Sequence, residues 1–370
     1  MVYSKEYIPT DYLHNLKTYQ YKSIDKSPLS NYVLNHYWEY LVTFVPLWVA
    51  PNMITLLGSL HIVGAYILNM IYAPNLNKTM PSWVYLVQGS CLWIYGSLDA
   101  IDGKQARRTG QSGPLGELFD HGCDSLTTGL ALTMTATAMG LGCGWKTVVF
   151  FFIGYINFYT STLEEYHTGI LYTGYFSGAV EGIVISSLSL ITTGILGNGI
   201  WKIPLFDKIA FMKPIIESTN ISALKEFNMV DFYLSFMVIG IFPTVYASYR
   251  HIKRSKAALN KSTNQAVKDM IPLIAYLGPA SLWLYNSPSV LAPFPTLNRM
   301  HIPMFIGVVN SYIINSDLQK YFSGVDEVAL LWICLSVSFI QYSHFALSVI
   351  SVICNYMDIY CLTIKHKKVL

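Results

Sequence analysis

The chain has 370 residues, of which 53% are apolar, 14% aromatic and only 12% charged, with a formal net charge of +3 and a mean hydropathy of +0.40. So small a charge, with no basic patch interleaved with aromatics, gives no footing for nucleic-acid binding. No hydrophilic stretch is long enough for a soluble domain of its own. Sparse charge beside 27 Tyr and 8 Trp suits helices that cross a bilayer with aromatic belts at its surfaces. The six cysteines form no CxxC pair and mostly fall in apolar runs, so they read as small buried hydrophobes. The first 25 residues are polar and charged, without the apolar run of a signal peptide.

In chain order, residues 1–48 read as a cytosolic N-terminal segment. Within it, 28–48 mixes Trp38, Tyr37, Leu41, Val42 and Phe44 with Asn31, Asn35, His36 and Glu39, the pattern of a helix lying in the membrane interface. Residues 49–370 read as one all-α polytopic transmembrane domain. Stretches near 52–72, 82–98, 119–141, 145–162, 176–196, 230–248, 270–285, 301–315, 328–341 and 343–362 give about ten candidate spans of ~30 Å of hydrocarbon. The densest basic loop, Arg250 to Lys268, and the tail Lys365-His366-Lys367-Lys368 both fall on the cytosolic side of a ten-span chain with a cytosolic N-terminus. The loop holding Arg107 and Arg108 falls there too.

Between the second and third spans lies the most informative segment, Asp99-x2-Asp102-Gly103-x2-Ala106-Arg107-x8-Gly116-x3-Asp120-x3-Asp124. Acids at a membrane are costly and mark function. Four of them this close repel one another unless cations intervene, and oxygen-only ligands favour a hard ion such as Mg2+ or Mn2+. Asp99 and Asp102 are spaced i,i+3 and Asp120 and Asp124 i,i+4, so each pair shares a helical face. Two helices joined by a loop over 103–118 then bring four carboxylates together, enough for two divalent cations at a displacement on phosphorus. Gly103 and Gly116 permit close approach. Arg107 offers a planar fork for phosphate oxygens. Lys104 and Arg108 read either as phosphate contacts or as ordinary interfacial cations.

The pattern resembles the signature of the CDP-alcohol phosphotransferases, with every fixed position present. The stretches Gly113-Pro114-Leu115-Gly116-Glu117-Leu118-Phe119-Asp120-His121, Ala50-Pro51-Asn52-Met53-Ile54-Thr55 and Glu164-Glu165-Tyr166-His167-Thr168-Gly169 resemble the eukaryotic choline/ethanolamine branch. The resemblance implies a membrane enzyme, often dimeric, that moves phosphocholine or phosphoethanolamine from CDP-choline or CDP-ethanolamine to diacylglycerol and releases CMP. It implies metal binding at Asp99, Asp102, Asp120 and Asp124, and nucleotide contact at Gly103, Ala106 and Arg107. Another alcohol acceptor such as inositol, or a membrane transporter using the same acids, are the rival readings.

The resemblance gives the role of general base to Asp124, but a carboxylate on a divalent cation is a weak base. His121 lies one turn after Glu117, and histidine is the side chain best suited to proton transfer near neutral pH. We therefore read His121 as the base and Glu117 as its orienting partner. Asn52 is expected either to touch the donor's phosphates or to cap its helix. Glu181, with Glu165 a weaker candidate, is expected to meet the substrate's cationic head group. The terminal Lys367-Lys368-Val369-Leu370 resembles a dilysine retrieval signal and points to the endoplasmic reticulum or Golgi.

Overall fold

The computed structural model describes residues 8, 10–74, 76, 78–174, 178–206, 225–286 and 327–365. These residues are mainly helical. The segment expected at the membrane interface forms helix α1 (Asn35–Thr43), entered through a π-turn at Ser30–Leu34. Trp38 and Val42 of α1 are buried against Ile54 and Ile101, while Tyr40 and Phe44 stay exposed. Extended Ala50 and then Pro51, whose fixed φ suits a first helical residue, start α2 (Pro51–Tyr72).

Helix α3 (Ser82–Thr109) carries the chain through the first half of the acidic motif. It is 28 residues long, ~42 Å of helix. Gly110, left-handed at φ 69°, ends it by donating its N–H to the Ala106 carbonyl. Gly113-Pro114 then starts α4 (Pro114–Ala138). The loop expected over 103–118 is thus only 110–113. Lys104, Gln105, Ala106, Arg107 and Arg108 are good helix formers, and one glycine at 103 does not outweigh them.

Helix α5 (Trp145–Thr168) ends at Gly169, φ 68°, and α6 (Ala179–Leu196) follows a short strand, β2 (Leu171–Thr173). That strand pairs in parallel with β1 (Ser23–Asp25), with Ser23 opposite Leu171. The reading as purely helical missed this pairing, because three residues are too few for a periodicity. A capping box of Asn228 and Asp231 opens α7 (Met229–Ala258). The short helix Asn264–Lys268 leads to α8 (Ile271–Asn286), and α9 (Glu327–Met357) ends the helical chain.

Two expected spans, 328–341 and 343–362, are one continuous helix, α9. No glycine or proline interrupts Glu327–Met357, and the polar Gln341-Tyr342-Ser343 is accommodated within it. The expected span 301–315 lies outside the described residues. Among the described residues, α2, α6 and α7 are the helices that meet a strict test of length and apolarity for crossing a membrane. Phe232, Phe236, Ile239, Phe242 and Tyr246 leave an exposed apolar stripe along α7, as a lipid-facing helix would.

Helix α3 is the centre of the packing, with α2 on one side and α6 on another, while α4 lies against α2 and α5 against α7. Small residues bring α3 and α6 together. A Cβ on Gly89 would stand 2.6 Å from Ile191 Cγ1 and 3.0 Å from the Ser187 carbonyl, and the Ser187 hydroxyl donates to the Gly89 carbonyl at 2.8 Å. Deeper in, fully buried Gln88 donates to Asn69 Oδ1, and Asn69 donates to the Thr137 hydroxyl, tying α2, α3 and α4 by polar contacts.

Candidate active site

The last turns of α3 and the first turns of α4 meet beside the start of α2. Carboxylate oxygens of Asp99, Asp120 and Asp124 lie within 4.8 Å of one another. Asp99 Oδ1 and Asp120 Oδ1 are buried and have no hydrogen-bond partner. Bare buried carboxylate oxygens are costly unless a cation meets them. The donor set is therefore what a hard divalent ion takes, all oxygen and all anionic. Asp102 stands outside this group of three. Its Oδ2 accepts the hydroxyl of Thr55 from α2, although it remains within electrostatic reach of Asp120 and Asp124. Asp124 Oδ1 accepts the hydroxyl of Tyr95.

A second group adjoins the first through α4. Glu117, His121 and Glu165 also place one polar atom each within 4.8 Å of one another. His121 Nε2 is 3.7 Å from Glu165 Oε2, with the imidazole 25% exposed and the carboxylate 12%. Glu117 interacts with both. The imidazole expected to pair with Glu117 alone thus faces two carboxylates. Glu117 precedes the apolar stretch 119–141 and Glu165 follows 145–162. Burial, and then the like charge of Glu117, push the Glu165 carboxyl up to about 7. Burial also raises Glu117, and the neighbouring His121 opposes that rise.

The end of α5 that carries Glu165 is pinned from below. Its neighbour Glu164 is 3% exposed and pairs with His251 Nδ1 of α7 at 2.5 Å. His167 Nε2 lies 3.0 Å from Asp269 Oδ2, and the His251 ring packs against Tyr172 of β2. The segment Glu164-Glu165-Tyr166-His167 therefore splits its work. Glu164 and His167 fasten the helix end, and Glu165 faces the site.

Other expected residues fall into three classes. Arg107 is exposed, within electrostatic reach of Tyr21, and its guanidinium lies 3.8 Å from where a Cβ on Gly103 would be. Ala106 lies on the same helical stretch as Gly103 and Arg107. Asn52 does not cap α2, whose cap is Ala50. It donates to the Cys361 carbonyl at 3.0 Å, and its Oδ1 faces Gly116, 3.8 Å from a Cβ built there. Glu181 sits in neither acidic group. In the first turn of α6 its Oε1 accepts the Ser27 hydroxyl, while Oε2 is buried without a partner.

Lys104 and Arg108, left open by the sequence, hold α1. Lys104 donates to Asn35 at 2.7 Å, Arg108 reaches the carbonyls of Val42 and Val45, and Gln105 between them reaches those of Pro46 and Val49. Sequence reasoning missed Tyr95, Thr127 and Thr55. Their helical spacing from the acids, four before Asp99 and three after Asp124 for the first two, was the available signal.

A bundle of apolar helices with a buried acidic cluster at one end is what a membrane protein able to hold a divalent cation presents. The model of the CDP-alcohol phosphatidyltransferase family matches residues 48–171. The choline/ethanolaminephosphotransferase 1 of Saccharomyces cerevisiae is 32% identical, covering 98% of this chain and 99% of its own length. The choline/ethanolaminephosphotransferase 1 of Arabidopsis thaliana is 33% identical over 95% of this chain and 97% of its own. An uncharacterized class-I family protein of Dictyostelium discoideum is 32% identical over 96% and 98%. The chain belongs to the CDP-alcohol phosphotransferase family, in its choline/ethanolamine branch, and is a transferase of phosphate-containing groups.

Proposed function

We propose that the protein transfers phosphocholine or phosphoethanolamine from its CDP ester to diacylglycerol, giving phosphatidylcholine or phosphatidylethanolamine and CMP. The observation that carries this reading is the placing of the His121–Glu117–Glu165 group beside the convergent carboxylates of Asp99, Asp120 and Asp124. Two Mg2+ or Mn2+ ions would be held by Asp99, Asp120 and Asp124, with Asp102 as fourth ligand, and when bound supply positive charge against the oxygens of the transferring phosphoryl group.

His121 takes the proton of the diacylglycerol hydroxyl as that oxygen bonds to the phosphorus carrying the head group. The bond from this phosphorus to the CMP oxygen breaks, and CMP leaves with the pair of electrons. Glu117 and Glu165 hold the imidazole and stabilise the charge it gains. Arg107 meets the donor's phosphates as a planar fork, and Gly103 and Ala106 keep the helix surface flat where the nucleotide approaches. Glu181, with one buried oxygen unpartnered, is assigned to the substrate's cationic head. Asn52 and Gly116, facing each other, line the donor's side. The enzyme acts as a homodimer in the endoplasmic reticulum or Golgi membrane, with the site facing the cytosol.

The test is CMP release by the purified protein with diacylglycerol and Mg2+ or Mn2+, comparing CDP-choline with CDP-ethanolamine. Metal-dependent release with either donor supports the reading. Release only with inositol as acceptor, or none at all, overturns it.

A further inference from the structure

We propose that Tyr95, with Thr127 behind it, holds Asp124 in its cation-binding orientation; this rests on the metal reading above. Tyr95 lies one helical turn before Asp99 on α3. The helix that presents Asp99 therefore also delivers a hydroxyl across to α4, where it donates to Asp124 Oδ1. Thr127, one turn after Asp124, donates in turn to the Tyr95 oxygen at 2.8 Å. That is the shortest contact of the Thr127 hydroxyl, which also lies 3.1 Å from the Cys123 carbonyl, and because an ionised carboxylate only accepts, the tyrosine is the donor toward Asp124.

Both residues are buried, Tyr95 at 5% and Thr127 at 1% exposure. The Tyr95 ring packs in an apolar cluster with Leu92, Leu130 and Met134, where a phenylalanine would serve as well for packing. A hydroxyl in such a place costs free energy unless it is hydrogen-bonded, and here its bond goes to the site. The contrast with Asp99 and Asp120 defines the role. Asp99 and Asp120 carry bare buried oxygens, whereas one oxygen of Asp124 is fixed by Tyr95, which sets the carboxylate's rotation and leaves its second oxygen for a cation. Tyr95 is thus a positioning residue.

The experiment uses the full chain in detergent without donor and follows thermal unfolding during a Mn2+ titration, each variant read against its own metal-free midpoint. Tyr95→Phe keeps the ring and removes only the hydroxyl. The Mn2+ concentration giving half-maximal stabilisation is expected to rise about 10- to 100-fold, the usual cost of losing a partner behind a metal ligand. CMP release should need correspondingly more Mn2+ and largely recover when Mn2+ is saturating. Thr127→Val should shift the midpoint in the same direction by less, and the double variant by no more than Tyr95→Phe alone, because Thr127 acts through Tyr95. An unchanged Mn2+ midpoint in Tyr95→Phe overturns the proposal while leaving the metal reading intact. A wild-type protein with no Mn2+ response overturns both.

Discussion

A histidine facing two carboxylates is a different object from a histidine with one. Glu117 comes from the same helix as His121, so its place follows from the i,i+4 spacing. Glu165 arrives from the far end of α5 and brings a carboxyl whose ordinary range has been raised to about 7. Removing the imidazole tests the general base. His121→Ala should lower kcat by about 100-fold or more, with Mn2+ stabilisation intact. A loss of less than tenfold would place the base elsewhere, at Asp124 first. Glu165, which Glu117, His121 and Tyr21 face, contributes to the pH dependence. Below about 7 it is protonated and supports the imidazolium poorly, so kcat should rise through that pH and the rise should be shallower in Glu165→Gln. The linkage has the opposite sign for stability. A carboxyl raised from 4.5 in the unfolded chain to about 7 in the fold favours folding most below 4.5, and that advantage is lost as pH rises to about 7. Glu165→Gln should therefore flatten the wild-type fall in melting temperature over this window.

At the scale of elements, α3 does several jobs along one rod. Its middle packs on α6 through Gly89, a later turn carries Tyr95, its last turns carry Asp99 and Asp102, and its end grips α1 through Lys104 and Arg108 and the segment after α1 through Gln105. Gly89→Val should push α6 away, because the new Cβ meets backbone of Ser187 and Ile191 as well as a movable side chain. Overpacking of this kind costs roughly 1–3 kcal/mol, read as a lower melting temperature in detergent. An unchanged melting temperature would mean that α6 yields freely. The acid pairs were legible because a helix repeats every 3.6 residues, so spacing alone puts each pair on one face. The continuation of α3 through the motif was not, because Gly103 and a run of charges mimic a loop until α1 and the segment 44–49 after it supply acceptors for Lys104, Gln105 and Arg108. The roles of Glu164 and Glu165 were likewise hidden. Adjacent residues point to different sides of a helix, and only the position of α7 shows that His251 takes the first and leaves the second to His121.

Across the whole molecule, one end collects the chemistry. The start of α2, the ends of α3 and α5 and the start of α4 meet there, and the basic end of α7 reaches it through His251. Arg250, Lys253, Arg254, Lys261 and Lys268 are therefore on the site's side of the fold, the arrangement that positive loops on the cytosolic face would give. A cysteine placed at exposed Lys261 in a variant lacking the native thiols should react with an impermeant maleimide in sealed, right-side-out microsomes. Protection there, with labelling only after permeabilisation, would turn the site to the lumen. The claim on which the rest stands is that these carboxylates serve head-group transfer, and the most direct measurement follows a labelled head group from CDP-choline or CDP-ethanolamine into lipid in the wild type and in Asp120→Asn. One labelled phospholipid per CMP is expected with the donor the enzyme accepts, and a loss of at least ~100-fold in the variant, as removal of a direct cation ligand would give. CMP without labelled lipid, or an Asp120→Asn protein as active as the wild type, would contradict it.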